Sequence, residues 1–305
     1  MQWQDDITAA QERITGHIVE TPVLHSGAFG REIALKLEQM QHTGSFKTRG
    51  AFNTLLAADV PAAGVVAASG GNHGAAVAHA ARQLGHRAKI FVPEIAGPAK
   101  IGLIKRTGAN LTVVPGEYAN ALELAEREAS ESGAMQIHAY DAPLTVAGQG
   151  TVMLEWERQG LEADTVLIAV GGGGLIAGAL AWLGDRRKVV AVEPMTSCAL
   201  HSALEADAPV DVAVSGVAAN ALGARRIGNI CFDLAKAAGI ESVLVSDGAI
   251  IEAQQALWQA HRQLVEPAGA TALAALMSGA YEPDAGERVA VLVCGGNIAP
   301  DPQIG

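Results

Sequence analysis

The sequence predicts an α/β protein made of two open, mostly parallel sheets that face each other across a cleft. Three observations carry this expectation. Apolar, β-branched runs alternate with helical spacings along two successive stretches of chain. Glycine clusters at Gly70-Gly71, at Gly171, Gly172, Gly173 and Gly174, and at Gly295-Gly296 each follow such a run, where loops at strand ends belong. Half of the 305 residues are hydrophobic and only 17% are charged, so the chain buries a large core.

The elements follow in order. Residues 5–17 have helical spacing, with Ile7, Ala10, Ile14 and His17 on one side. Residues 34–38 read as a strand. Gly44-Ser45-Phe46-Lys47 is a turn opening a helix through Ala51, Leu55 and Leu56. Strands over 65–68, 89–92, 111–114 and 136–138 then alternate with helices over 74–84, 99–107 and 118–132. A second series places strands at 165–170, 189–192, 243–245 and 289–293, and helices at 175–183, 198–205, 247–264 and 268–277. The expected organisation is a large domain of residues 1–44 and 143–305, with a small domain of residues 45–142 inserted. No Pro/Ser-rich linker, low-complexity tract or internal repeat interrupts it, and few residues follow Asn297.

Composition excludes several function classes. Lys and Arg number 21 against 32 Asp and Glu, a net charge of −11, which argues against nucleic acid or anionic lipid as a partner. Cys198, Cys231 and Cys294 are far apart and form no CxxC pair, so neither a disulfide framework nor a zinc site is expected. The N-terminus has no basic region and no apolar core, so no signal peptide is expected, and the cytoplasm is the expected location. Residues 165–184 carry no charge, yet consecutive glycines in their middle make a poor membrane helix. Strand, loop and buried helix is the better reading.

Within that stretch, residues 166–170 run into Gly171, Gly172, Gly173 and Gly174 and then Leu175. Free backbone N–H groups and the dipole of the following helix make an anion site, with a phosphate as the expected ligand. Two ligands fit this segment equally. One is a dinucleotide: Gly172-x-Gly174-x-x-Ala177 matches the G-x-G-x-x-G/A fingerprint, and Glu193 ends the next strand, where a ribose-binding acid belongs. The other is a monophosphate. A bare turn is the weaker reading, because consecutive glycines cost chain entropy without packing anything.

Lys47 separates the two. It lies at the start of the expected helix, beside Phe46, in a turn set by Gly44. The positive helix end and partial burial both favour the neutral amine, a nucleophile able to form a Schiff base. A solvated surface lysine is the alternative, but a helix N-terminus is a poor place for a structural cation.

Five segments then occur in order: Thr43-Gly-Ser-Phe-Lys-Thr-Arg-Gly-Ala51, Ser69-Gly-Gly-Asn-His73, the 171–175 loop, Glu266-Pro-Ala-Gly-Ala270 and Cys294-Gly-Gly-Asn297. Together they resemble the pyridoxal-phosphate enzymes of fold type II, in the threonine/serine dehydratase branch that includes serine racemase. The resemblance runs from about residue 12 to 297, nearly the whole chain, and sets the dinucleotide reading aside. It implies a tryptophan synthase β-like architecture with the cofactor cleft between the two domains. It further implies pyridoxal 5'-phosphate as cofactor, a small amino acid as substrate, no metal that this sequence specifies, and a homodimer.

The resemblance also implies roles. Lys47 carries the cofactor as a Schiff base, and Phe46 flanks the pyridine ring. Gly171, Gly172, Gly173, Gly174 and the Leu175 amide hold the phosphate. Asn72 bonds the cofactor's 3′ oxygen, and Cys294 faces the pyridine nitrogen. Ser69, Gly70, Gly71, Asn72 and His73 receive the substrate carboxylate, where N–H groups of a glycine turn suit an anion. Without the resemblance, 69–73 reads only as a turn and helix cap, and Cys294 as a buried apolar cysteine. A thiol is a weak partner for the ring nitrogen, which favours prompt loss of a β-leaving group.

Three positions depart from the family pattern. Gly70 stands where serine racemases place a serine that acts as second-face base, which argues for elimination over racemisation. Ser215 stands where an Asp of the family's divalent-metal site is usual, although Asp211 is retained, so no metal is expected. Tyr140 occupies a position where an Asn often reaches the cofactor. The implied reaction is α,β-elimination from L-threonine or L-serine to a 2-oxo acid and ammonia. The alternatives are serine racemisation, dehydration of another β-hydroxy amino acid (hydroxyaspartate or phenylserine), and a non-catalytic amino-acid-binding protein.

Overall fold

The computed structural model describes residues 3–116 and 118–298; the first two residues and the tail after Ile298, which the sequence reading touched, lie outside them. The chain begins with α1 (Trp3–Ile14), β1 (Val23–Ser26), β2 (Ile33–Leu37) and α2 (Lys47–Ala57). It continues as β3 (Val65–Ala68), α3 (Asn72–Gln83), β4 (Ala88–Pro93), α4 (Gly97–Arg106), β5 (Asn110–Val114), α5 (Tyr118–Ser132) and β6 (Met135–Gln136). The strands of this run form a four-stranded parallel sheet in the order β5-β4-β3-β6. Its central strand β3 is an unbroken, fully buried apolar run because both its faces are covered. Val65 and Ala67 pack with Phe52, Ala75 and Ile104 on one side, while Val66 and Ala68 pack with Ala121 and Ala125 of α5 on the other.

The remaining elements are α6 (Pro143–Arg158), β7 (Thr165–Ala169), α7 (Gly174–Leu183), β8 (Lys188–Pro194), α8 (Ala199–Ala206), α9 (Ala219–Leu222), α10 (Asn229–Ala238), β9 (Glu241–Val245), α11 (Asp247–His261), α12 (Pro267–Ser278) and β10 (Val289–Val293). They complete a six-stranded sheet, β1-β2-β10-β7-β8-β9, in which only the β1/β2 pair is antiparallel. Helix α12 lies across its centre, against β7, β8, β9 and β10. The uncharged stretch at 165–184 is β7, the glycine loop and α7, and no helix among the described residues is long and apolar enough to cross a membrane.

Most expected elements appear within a residue or two. Strand β1 and helices α6, α9 and α10 carried no signal that the sequence reading used. Helix α6 shows why: residues 145–156 are all buried, so no polar face marks a helical period. His17 lies beyond the end of α1 and stacks on Phe52 instead of continuing the helical face. Glu193, the ribose-binding acid of the dinucleotide reading, is buried and accepts from the Leu200 and His201 amides at 2.9 and 2.8 Å. It is a cap for α8, and burial pushes its carboxyl up to about 7.

Two features fix where α2 starts. First, α2 and α6 press together where neither has a side chain: a Cβ on Gly148 would lie 2.6 Å from the Gly50 Cα. Second, a buried ion cluster joins β2, α2 and α6. Arg49 donates to both oxygens of Glu38 at 2.9 and 2.7 Å and to Glu155 at 2.9 Å. Lys36 donates to Glu155 at 2.6 Å and to the Thr21 carbonyl at 2.7 Å. Burial alone would raise the Glu155 carboxyl, but Arg49 and Lys36 hold it below the ordinary range. Two cations and two carboxylates balance within the cluster, so no net charge is left in the low-dielectric interior.

Candidate active site

The C-terminal ends of β3, β7 and β10 open onto one cavity of about 480 Å3. This is where the crevice of an open α/β sheet accepts ligands. Its walls bring together every site residue picked out from the sequence: Phe46, Lys47, Ser69, Gly70, Gly71, Asn72, His73, Gly171, Gly172, Gly173, Gly174, Leu175 and Cys294. They come from four separate loops that converge only in the fold. The walls also hold residues that the sequence reading passed over, Tyr118, Asn220 and Arg225 among them.

Lys47 opens α2, with Phe46 at the N-cap. The strained residue here is Thr43, a β-branched residue at φ 60° in the turn just before. The Lys47 Nζ lies 5.2 Å from the Phe46 ring centroid and donates to the Ala139 carbonyl at 2.8 Å. Protein surrounds the amine, and its remaining surface faces the cavity. Burial lowers its pKa to about 8, with Cys294 acting weakly the other way. The amine is therefore far more readily neutral near physiological pH than an ordinary lysine, although the protonated form still predominates.

The groups around the amine carry no competing charge. Burial, reinforced by Lys47, takes His73 down to about 3. Its Nε2 lies 3.0 Å from the Ile137 carbonyl, which can only accept, so that nitrogen carries the proton. His138 is likewise lowered by burial, and its Nδ1 accepts from the Asp141 amide at 2.8 Å. Burial pushes the Cys294 thiol well up, and its Sγ donates to the Ala268 carbonyl at 3.3 Å. Cys294 is a neutral thiol.

The glycine loop between β7 and α7 is bare by necessity. A Cβ on Gly171 would lie 2.9 Å from the Leu222 Cα, and one on Gly174 would lie 2.9 Å from the Tyr140 Cα. One on Gly172 would enter the Tyr140 ring, and one on Gly173 would enter the Cys231 thiol. Gly173 also has φ 93°. The first amide of α7 to find a backbone acceptor is Ala177, which donates to Gly173 at 2.9 Å. Among the described residues, the N–H groups of Gly172, Gly173, Gly174, Leu175 and Ile176 donate to no backbone carbonyl. Free amides at the positive end of a helix bind anions, phosphate above all.

The model of the pyridoxal-phosphate dependent enzymes matches residues 14–295. The chain belongs to that family. Pyridoxal phosphate is accordingly its cofactor. Among relatives, the phenylserine dehydratase of Ralstonia pickettii is 36% identical over 300 residues, covering 95% of this chain and 92% of that protein. The L-threonine ammonia-lyase of Geobacter sulfurreducens is 33% identical over 301 residues, covering 96% of this chain and 75% of that one. Among solved structures, maize serine racemase superposes with a TM-score of 0.92 at 30% identity, over 97% and 94% of the two chains. The threonine deaminase of T.th. superposes with a TM-score of 0.90 at 35% identity, over 98% and 99%.

The residues present fit pyridoxal phosphate. The free amides of the loop suit its phosphate, and the buried amine of Lys47 suits its aldehyde. Among the described residues, no group of three or more metal-ligating side chains could hold a metal ion. Asp211 is exposed and takes a hydrogen bond from Arg226 at 3.1 Å, while the Ser215 amide donates to Thr196 at 3.0 Å.

The loop geometry makes a prediction. Gly173→Ala adds a Cβ against Cys231 at a left-handed φ. The substitution should cost about 1–3 kcal/mol from backbone strain alone and should weaken cofactor binding further by tilting the amides. Equilibrium dialysis with pyridoxal phosphate and urea unfolding of the apoenzyme check the two effects separately.

Proposed function

We propose that the enzyme removes water and then ammonia from a β-hydroxy-α-amino acid, L-threonine or L-serine, leaving a 2-oxo acid. One observation supports this above the others: a buried, readily neutralised lysine shares its cavity with both an amide cradle for phosphate and the 69–73 turn. Pyridoxal phosphate, when bound, supplies an electron sink for the substrate's Cα–H bond. The protein's own groups do the rest. The 171–175 amides anchor the phosphate, and the 69–73 turn takes the substrate carboxylate through backbone N–H groups. Ser69 shapes that turn, its Oγ accepting from the Gly71 amide at 3.1 Å. The neutral Lys47 Nζ takes the Cα proton and keeps it within reach of the departing hydroxyl. With the cofactor bound, Cys294 would hold its ring as a neutral thiol that supplies no proton, which would favour prompt loss of the β-hydroxyl. Phe46 packs beside the amine, its ring centroid 5.2 Å from the Lys47 Nζ.

Gly70 favours elimination over racemisation. It has no proton to move, and a Cβ there would run into the Cβ of Ala96. A second substrate reading, phenylserine, draws on the small apolar wall of Pro93, Ala96, Val214 and Ala219, which leaves space for a larger β-substituent. It also agrees with the name of the Ralstonia relative. The proposal places the enzyme in the cytoplasm as a homodimer. The three free cysteines suit a reducing compartment, and exposed Trp258 and Leu264 suit a subunit contact.

The test is a panel of L-threonine, L-serine, threo-phenylserine and hydroxyaspartate, scored for 2-oxo acid. Absence of 2-oxo acid from all four sinks the proposal. D-serine on a chiral column, in place of pyruvate, would make the enzyme a racemase.

The lowered pKa of Lys47 adds a pH prediction. Only the neutral amine attacks an aldehyde. The rate of cofactor uptake by the apoenzyme should rise with pH through about 8 and level off above it, well below the ordinary lysine range near 10.5. Stopped-flow absorbance reads the profile, and a midpoint near 10.5 would place the amine in bulk water.

A further inference from the structure

Asn72 opens α3 and lines the cavity, yet its amide is already committed on both ends. Its Nδ2 donates to Glu266 Oε1 at 2.5 Å, and its Oδ1 accepts from the Asn297 Nδ2 at 2.9 Å. Asn297 in turn donates to the Thr43 carbonyl at 2.7 Å, four residues before Lys47. Glu266 is buried at the N-cap of α12 and is held by its own backbone: its amide donates to Gly295 at 3.3 Å, and its carbonyl accepts from Gly269 at 2.8 Å. The chain of bonds thus joins the four-stranded sheet, through the β3–α3 loop, to three segments of the six-stranded one.

We infer that Glu266 is a positioning residue that sets which way round the Asn72 amide faces the cofactor. A carboxylate only accepts, so it selects the amide nitrogen of Asn72. Asn297 presents its own Nδ2 and so selects the amide oxygen. The two choices agree, and they leave one hydrogen of Asn72 Nδ2 for an acceptor in the cavity. An anionic oxygen on the cofactor ring is such an acceptor. A flipped amide would instead present a carbonyl oxygen there and repel it. Burial strengthens this selection, since a mispaired amide here has no water to turn to. Glu266 touches neither substrate nor cofactor in this role; it acts through Asn72. The inference rests on the reading that Asn72 faces the cofactor.

The test is a double-mutant cycle on cofactor binding, with turnover left out of the readout. Glu266→Gln, Asn72→Ala and the double variant are titrated with pyridoxal phosphate, and the dissociation constant and the visible absorption band are recorded. Glu266→Gln replaces a carboxylate, which can only accept, with an amide that can turn either its oxygen or its N–H to Asn72, so this side no longer selects the Asn72 nitrogen. It should weaken cofactor binding about ten- to a hundredfold and move the band. In the Asn72→Ala background the same change should have no further effect on either. Glu266→Asp keeps an acceptor and should restore the position of the band; run through the same cycle, it serves as the test if the Gln variant does not fold. Equal effects of Glu266→Gln with and without Asn72, or an unmoved band and dissociation constant, overturn the inference. A native chain that binds no cofactor overturns the broader reading instead, so the two failures are told apart.

Discussion

Lys47→Ala lowers turnover of any β-hydroxy amino acid by ~10²–10⁴-fold or more and abolishes the bound cofactor's absorption near ~410–420 nm. The expectation follows from what surrounds the side chain. Among the described residues the amine is the one lysine in the cavity wall, its pKa is drawn down to about 8 by burial, and the imidazoles beside it are neutral and already bonded to backbone. No neighbour can take over its proton. The fold should survive, because alanine is a good helix former at the first position of α2 and the buried ion cluster does not include Lys47. Lys47→Arg separates charge from chemistry: a guanidinium keeps the positive charge but cannot become a neutral base. It should be as inactive as the alanine variant. Circular dichroism establishes folding, and keto-acid release establishes turnover. An arginine variant with ordinary turnover would remove Lys47 from the chemistry.

The largest effect on stability belongs two residues further on. Arg49→Met should destabilise the protein by about 3–5 kcal/mol, read as a lowered urea midpoint. Arg49 is fully buried and donates to two carboxylates. Removing it leaves the buried Glu38 and Glu155, both reached by the Thr21 hydroxyl, with Lys36 as the one remaining cation of the cluster. Charge balance, not packing volume, is the cause. Arg49→Met combined with Glu38→Gln should therefore be less destabilised than Arg49→Met alone, although it carries one more substitution. A double variant that loses the sum of two independent costs would refute the charge argument.

The sequence is most legible where local chemistry writes itself on the chain. Lys47 in its Gly-Ser-Phe-Lys turn and the loop from Gly171 to Leu175 could be found because glycines and a lysine at strand and helix ends have few structural uses. Strands β3, β7 and β10 were legible because both faces are buried, which makes short, unbroken apolar runs. The same total burial hid α6, since a helix surrounded on all sides has no amphipathic period to detect. Glu193 misled for a related reason. An acid after the next strand fits a ribose contact, and only the fold shows its oxygens spent on the amides of α8. Glu266 was visible as a motif, but its bond to Asn72 spans 194 positions in sequence. Partners that distant are set by topology, and no spacing rule reaches them.

The three thiols occupy very unequal surroundings. Cys231 sits behind Gly173 and Cys294 lines the cavity floor, both buried with burial pushing the thiol up, while Cys198 keeps partial access to water. Thiolate and access together govern alkylation, so a maleimide should count one site on the native molecule and three on the unfolded one. The slow appearance of the second and third adducts would then clock the breathing of the interior beneath the phosphate cradle, without any reporter being engineered into it.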